Sequence, residues 1–367
     1  MRGNTVCTTE RAASLPHMRV PRNRMAPLCG CLYGEGMTDV TILAPSPIMT
    51  VTVEDHPTGE EVHVHPGGQG VWQARMLRRL GVSVRLCCVL SGEIGRVVRH
   101  LLDDEGIEVV AVDRAGRGPV YIHDRRGGNR VEVAEEEGDP LGRHELDELY
   151  SVVLREALDS NIVILSGPAG DDVLPADTYR RLAADLRKTG ARVVVDLAGE
   201  RLAAALEGGV DVLKVADDEL SEDGLIEETT VPAIIGAMRT LRERGAQTVI
   251  VSRASEPLLF ADEDGVLEVT APELETADTR GAGDSLTAGV VTAIVRGETP
   301  RQAITLGAAA GALNVTRHGL GTGDSEAIAR LREKVTTRPM TKQGDEADTE
   351  RVSPDGLAAL AEQEDAR

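Results

Sequence analysis

The sequence predicts an α/β protein: a three-layer, doubly wound, mostly parallel sheet with helices on both faces, interrupted by a small second sheet. Two observations predict it. From residue 162 onward, short β-branched runs alternate with amphipathic stretches: strand 162–165, helix 175–189, strand 193–196, helix 201–207, strand 212–215, helix 232–244, strand 248–252. Such alternation implies parallel strands joined by right-handed crossovers, and ligands of these sheets bind beyond the strand C-termini. The second observation is two pairs of alternating runs: 50–53 with 61–65 around His56-Pro57-Thr58-Gly59, and 120–122 with 131–134 around Arg125-Arg126-Gly127-Gly128-Asn129. Each pair reads as a hairpin, and together they make the small sheet.

The other elements follow in order. Residues 1–36 hold scattered Arg, Pro and Gly without periodicity and precede Met37, a candidate translation start; they read as a disordered N-terminal extension. Residues 40–44 form a buried strand. Gly67 and Gly68 open a helix with Val71, Ala74, Leu77 and Leu80 on one face, ending at Gly81. Strand 82–90, amphipathic helix 94–105 and strand 109–112 come next, and hairpin 258–270 follows the regular βα series. Helices 286–295 and 301–315 are rich in small residues, which suits close mutual packing. The main domain spans 37–335, and 336–367 reads as an acidic, largely disordered tail.

Composition narrows the function. The 367 residues suffice for a large core, and a formal charge of −21 argues against nucleic acid or an anionic membrane as partner. Aromatic residues are 2% of the chain, so the lone Trp72 stands out as a stacking surface. Five cysteines show neither a disulfide framework nor paired metal-ligand spacing. No apolar run is long enough for a bilayer and the Arg-rich start lacks an apolar signal core, so the expected location is cytoplasmic.

Asp278-Thr279-Arg280-Gly281-Ala282-Gly283-Asp284-Ser285 carries the chemistry. Gly281 and Gly283 let backbone N–H groups turn toward an anion, and the following helix adds its positive end. Asp284 on the same turn would repel a phosphate unless it takes a proton from an attacking hydroxyl, as bases in phosphoryl transfer do. The plain alternative is an Asp cap after a glycine-rich loop.

Asp278 to Asp284 resembles the D-T-x-G-A-G-D signature of the ribokinase-like, PfkB-type carbohydrate kinases. Gly67-Gly68-Gln69-Gly70-Val71-Trp72 resembles their N-terminal G-G-K-G-x-N signature, and the resemblance covers roughly residues 38–322. It implies an ATP-dependent kinase with Mg²⁺, a small sugar or sugar phosphate as acceptor, a β-lid built from strands within 50–66 and 118–135, and a homodimer through that lid. It also implies Asp284 as base and Gly281, Ala282 and Gly283 as anion hole. Lys214-Val215-Ala216-Asp217-Asp218-Glu219-Leu220 resembles the family's K-P-N-x-x-E-L segment, placing Lys214 and Glu219 at the nucleotide and Asp217 and Glu219 at the metal. For the two Asp, an acidic helix N-terminus is an equal reading. Ser252, Thr279, Asn314 and Gly319 are the other nucleotide-side positions.

Gly67, Gly68, Gln69, Trp72 and Arg117 are the candidate acceptor contacts. Within the 1-phosphofructokinase and tagatose-6-phosphate kinase branch, the first strand ends L-N-P-A-x-D; here Ile48 stands at the acidic position. Trp72 replaces the motif's Asn, as an aromatic plate or as core packing. Arg117 and Arg75 could each hold a phosphate or simply be solvated. A weakened family member that binds a metabolite and regulates, or a kinase for a nucleoside or other small alcohol, stands as the alternative. A nicotinamide dehydrogenase is disfavoured, because no G-x-G-x-x-G follows the first strand.

Overall fold

In the computed structural model, which describes residues 38–168, 170 and 173–340, two sheets form. In chain order the elements are β1 (Thr38–Leu43), β2 (Ile48–His56), β3 (Gly59–Gly67), α1 (Gln69–Arg79), β4 (Val84–Ser91), α2 (Gly92–Asp104), β5 (Glu108–Arg114), β6 (Val120–Asp124), β7 (Val131–Glu136) and α3 (Arg143–Ala157). There follow β8 (Ser160–Ser166), α4 (Ala176–Thr189), β9 (Arg192–Asp196), α5 (Gly199–Gly208), β10 (Val210–Ala216), α6 (Asp217–Glu222), α7 (Val231–Glu243), β11 (Ala246–Arg253), β12 (Glu256–Asp262) and β13 (Gly265–Thr270). The last are α8 (Ala282–Val295), α9 (Pro300–Asn314), α10 (Ser325–Arg332) and β14 (Thr336–Met340).

The ten-stranded sheet runs β14-β13-β12-β11-β10-β9-β8-β1-β4-β5. Strands from β5 to β11 pair in parallel; β12, β13 and β14 add an antiparallel edge. Side-chain alternation splits the interior into two cores, as a sheet covered on both faces requires. Ile42, Ile164, Val194 and Val212 face the core beneath α1, α8 and α9, whereas Leu43, Leu165, Val195 and Leu213 face that beneath α4, α5 and α7. Cys88 belongs to the first core and Cys87 to the second, and burial pushes the Cys88 thiol up to about 12, so both are packing groups rather than nucleophiles.

The four-stranded sheet, ordered β3-β2-β6-β7, is the lid. Its central pair, β2 and β6, is parallel while both hairpins are antiparallel. Arg75 ties the lid's root to the body. Its guanidinium makes two 2.7 Å bonds to Glu105 and donates to the Pro66 carbonyl at 2.9 Å and the Leu320 carbonyl at 2.7 Å.

Three elements lie outside what the sequence foretold. Helices α3 and α10 were not expected. Residues 336–340, read as the start of a tail, instead form edge strand β14 on β13. The strand is held by backbone pairing and its side chains are mostly exposed, so it carries no apolar alternation to announce it. Residues 1–37 and 341–367, including the rest of the expected tail, lie outside the described residues.

Close packing of α8 on α9 fixes the helix that ends in the anion turn. A Cβ at Gly289 would sit 2.8 Å from Gly307 Cα and from the Leu306 carbonyl oxygen. Gly289→Val is therefore expected to force the helices apart and cost about 2–4 kcal/mol, in the range of core overpacking and above. Denaturant unfolding checks it; a cost under about 1 kcal/mol would show the pair to be loosely packed.

Candidate active site

Sheet register assembles the centre. Ser166 and Asp196 end β8 and β9, Lys214 lies two residues before the end of β10, and Asp196 is the direct partner of both across the three adjacent parallel strands. Their side chains meet α8 and α1 from the first core's side. Lys214 Nζ lies 3.1 Å from Asp196 Oδ1. Asp196 Oδ2 accepts from Thr287 Oγ1 on α8 and from Gln73 Nε2 on α1, each at 3.0 Å. The same Gln73 Nε2 reaches Asp284 Oδ1 at 3.4 Å, and Gln73 Oε1 accepts from Ser166 Oγ at 2.5 Å. Ser166 is held in turn by its carbonyl, which accepts from the buried Tyr179 hydroxyl at 3.0 Å.

Asp284 stands on the first turn of α8 and is 8% exposed. Burial and the neighbouring Asp196 push its carboxyl up to about 8, although Lys214 and the Gln73 amide pull the other way. Burial also opposes the charge on Lys214, yet Asp196, Glu219 and Asp284 together hold its ammonium above the ordinary lysine value. The result is a buried cation serving two carboxylates. Asp196 is its ion-pair partner and Asp284 is left near neutral pH, the range in which a carboxyl can exchange a proton with a hydroxyl.

The anion turn is open. Gly281 is the N-cap of α8 with φ 70°, a left-handed conformation that glycine adopts without strain, and no side chain caps the helix. A Cβ at Gly283 would lie 2.8 Å from Lys214 Nζ, so lysine, helix end and turn share one place. Uncapped N–H groups beside a buried ammonium fit a phosphate. Asn314, fully buried, clamps the turn from behind: its Nδ2 donates to the Arg280 carbonyl at 2.7 Å and its Oδ1 accepts from the Gly321 N–H at 3.1 Å.

The remaining expected residues fall in three groups. Glu219 lies on α6, where Oε2 accepts the Ala216 N–H at 2.6 Å, and Asp217 Oδ1 accepts the Asp218 N–H at 3.1 Å. Among the described residues no three metal-ligating side chains cluster. Ser252 is half-buried at the end of β11, and Thr279 is exposed on the anion loop. Gln69 Oε1 accepts from the Gly167 N–H at 2.7 Å, bracing the start of α1, where Gly67 is buried within β3.

Gly68, Trp72 and Gly319 line a cavity of about 1050 Å³ between the lid and the body, with Ile48, Thr50, Arg125, Arg130 and Arg280 also on its wall. Asp284 is not on that wall. Trp72 Nε1 is buried without a hydrogen-bond partner. Arg117 does not line the cavity: its exposed guanidinium pairs with Glu136 at 2.7 Å and Asp139 at 2.9 Å. The sequence reading passed over Gln73, Ser166, Asp196 and Thr287. Asp196 alone left a signal, as a carboxylate ending an apolar run.

A model of the pfkB family of carbohydrate kinases matches residues 31–327. The chain belongs to that family. It is 28% identical over 266 residues to the 1-phosphofructokinase of Bacillus subtilis, covering 70% of this chain and 84% of the relative. It is 28% identical over 288 residues to the ATP-dependent 6-phosphofructokinase isozyme 2 of Escherichia coli, covering 76% and 92%. In fold it resembles the Escherichia coli phosphofructokinase-2 solved with potassium, with TM-score 0.72 and 24% identity over 81% of this chain and 99% of that one. It also resembles the Arabidopsis thaliana ribokinase solved with ribose and ATP, with TM-score 0.63 and 19% identity over 81% and 99%. This pfkB kinase is thus a phosphofructokinase-like sugar kinase and a phosphotransferase, and its family implies ATP as donor. No helix among the described residues is long and apolar enough to cross a membrane.

Proposed function

We propose that this pfkB kinase transfers the terminal phosphoryl group of ATP to a hydroxyl of a small carbohydrate or sugar phosphate. The observation that carries the proposal is a buried carboxyl, Asp284, placed on an uncapped helix end beside Lys214 with its pKa near neutrality. Asp284 accepts the proton of the attacking hydroxyl, and the N–H groups of the 281–283 turn receive the transferring phosphoryl oxygens. Lys214 offsets charge at the same place, while Gln73, Thr287 and Asp196 hold the ammonium and the base in register. Thr279, Ser252, Asn314 and Gly319 border the nucleotide. Mg²⁺ bound to the nucleotide, with Asp217 or Glu219 contributing an oxygen, would supply the counter-charge of phosphoryl transfer.

Acceptor choice rests on Ile48 and Trp72, which line the cavity where the related branch carries hydrogen-bonding side chains. A ring hydroxyl facing Ile48 would lack about 1–3 kcal/mol of hydrogen bonding. Fructose 1-phosphate and tagatose 6-phosphate are therefore expected to be poor acceptors, and the good one to present an apolar face to Trp72. Coupled ATP turnover with sugars, sugar phosphates and nucleosides tests both statements. Absence of transfer to every acceptor favours the regulatory reading instead, for which the Gln73 amide at Asp284 is the supporting observation. A kcat/KM of about 10⁴ M⁻¹s⁻¹ or more for fructose 1-phosphate sinks the reading of Ile48 and Trp72.

A homodimer through the lid, with a cytoplasmic location, completes the proposal. Val62, Val131 and Val133 on the outer lid strands are about 60% exposed, an apolar surface that a second lid would cover.

A further inference from the structure

Helix α1 turns two faces to the centre. Trp72, Arg75 and Arg79, in line with Gly68 at the N-cap, recur at helical spacing and line the cavity. Gln69 and Gln73, one turn apart, lie on the neighbouring face and both meet the end of β8. Gln69 Oε1 accepts the Gly167 N–H at 2.7 Å, and Gln73 Oε1 accepts from Ser166 Oγ at 2.5 Å. Gln73 has no exposed surface, and the other residues that α1 buries beside it include Val71, Ala74, Met76 and Leu77. A buried amide is costly unless its polar atoms are all met.

Here they are met, and in one orientation only. Ser166 takes the amide oxygen, which turns the NH2 group toward two carboxylates, Asp196 Oδ2 at 3.0 Å and Asp284 Oδ1 at 3.4 Å. The flipped amide would set its oxygen against both of them. The two oxygens of Asp284 are therefore unequal. Oδ1 is held by Gln73, whereas Oδ2 accepts no hydrogen bond among the described residues and yet is not one of the sealed, unpartnered atoms, so it keeps a share of the residue's 8% exposure. The charged groups acting on Asp284 are Asp196 from β9, Lys214 from β10 and Glu219 from α6. Helix α1 and β8 supply the uncharged Gln73 and Ser166, and α9 buries no charged side chain.

We propose that Gln73 is the positioning residue of this site: by occupying Oδ1 it leaves Oδ2 as the atom of Asp284 that takes the acceptor's proton. The inference rests on the kinase reading for the source of that proton, and it adds the atom and the residue that selects it. An amide NH2 has no lone pair to receive an O–H, and a proton on Oδ1 would weaken the oxygen that Gln73 binds, so the neutral acid carries its proton on Oδ2. In the transfer step the acceptor's O–H bond breaks as its oxygen bonds to the terminal phosphorus of ATP. The proton passes to Oδ2, and ADP leaves with the electron pair of the broken P–O bond. Gln73 follows Trp72 directly, so the helix that lines the acceptor cavity also aims the base.

The test is steady-state kinetics of Gln73→Met, which keeps the volume and removes the donor, in the wild-type and Asp284→Asn backgrounds. Beside an intact Asp284 it should lower kcat roughly tenfold, the scale of a hydrogen bond to a charged group, with KM for acceptor and ATP within about twofold. The rising limb of kcat/KM should move to higher pH, because the ionised carboxyl has lost a donor. In the Asp284→Asn background the same substitution should cost nothing further. Ser166→Ala, which frees the amide to turn, should act in the same direction with a smaller loss, and it decides the matter should circular dichroism show Gln73→Met unfolded. An unmoved limb, or equal losses in the two backgrounds, overturns the proposal and makes Gln73 a packing residue. A wild type that phosphorylates no acceptor refutes the kinase reading instead, and urea unfolding then judges the contact. The stability deficit of Gln73→Met should widen as pH rises through about 8, where Asp284 ionises, and stay flat in Asp284→Asn; a deficit flat in both shows that Gln73 does not hold the carboxylate.

Discussion

Asp284→Asn is expected to lower phosphoryl transfer by roughly 10²-fold or more while nucleotide binding persists, the scale of a positioned general base. The substitution keeps shape and one hydrogen-bond acceptor toward Gln73, but it removes the proton acceptor. Stability should move the other way. The folded-state pKa of Asp284 is about 8 against an unfolded value of 3.8, because burial and Asp196 disfavour its charge. Between those values the native state holds more protons than the unfolded chain, so the group's contribution falls as pH rises from about 4 to about 8. Asn carries no such loss. The variant should thus match wild type near pH 4 and be the more stable protein at pH 8, by a margin that grows across that window.

The same sign governs activity. A base must be ionised to act, so wild-type kcat/KM should climb with pH through a midpoint near 8 and level off above it, after correction for ionisation of the acceptor. A limb ending below pH 6 contradicts the burial argument. Equal turnover in wild type and Asp284→Asn, with any accepted acceptor, removes Asp284 from the chemistry.

What the sequence disclosed was whatever is contiguous. The βα rhythm from residue 162 and the glycine-flanked Asp284 are both local patterns, and the structure has the corresponding strands and the helix α8. Helix α3 was equally local, with Leu146, Leu149, Tyr150 and Val153 on one face, but Gly142 offers no capping side chain and an acidic, glycine-interrupted run precedes it. Helix α10 did have a cap, the Asp324 carboxylate accepting the Ala327 N–H at 2.8 Å, though only Ile328 along it is fully buried. The polar centre was illegible for a different reason. Gln73, Ser166, Asp196 and Thr287 come from four separate segments, and only strand register and the docking of α1 and α8 bring them together. The contacts of Arg125 and Arg130 with Asp278 were hidden likewise, since residues 125–129 read only as a hairpin turn and the folded small sheet carries these side chains to Asp278.

Lys214→Met should be the most damaging single change in the body of the fold. Lys214 is 7% exposed and Asp196 1% exposed, so removing the ammonium leaves a buried carboxylate facing a second one, Asp284, across the Gln73 amide. Breaking a buried pair by deleting one partner costs about 3–5 kcal/mol, because the remaining charge can neither reach water nor find a counter-ion. Methionine fills much of the lysine stem's volume, so the loss reports charge rather than a cavity. The penalty should deepen as pH rises toward 8, where Asp284 ionises beside Asp196. A second substitution, Asp196→Asn, removes the carboxylate that Lys214 serves and should return much of the loss while keeping acceptors for Thr287 and Gln73. Urea unfolding of the wild type, both single variants and the double variant gives the coupling directly. Additive effects, or a Lys214→Met variant within about 1 kcal/mol of wild type, would mean that water already reaches these carboxylates and that the centre is not the dry site on which the role of Asp284 depends.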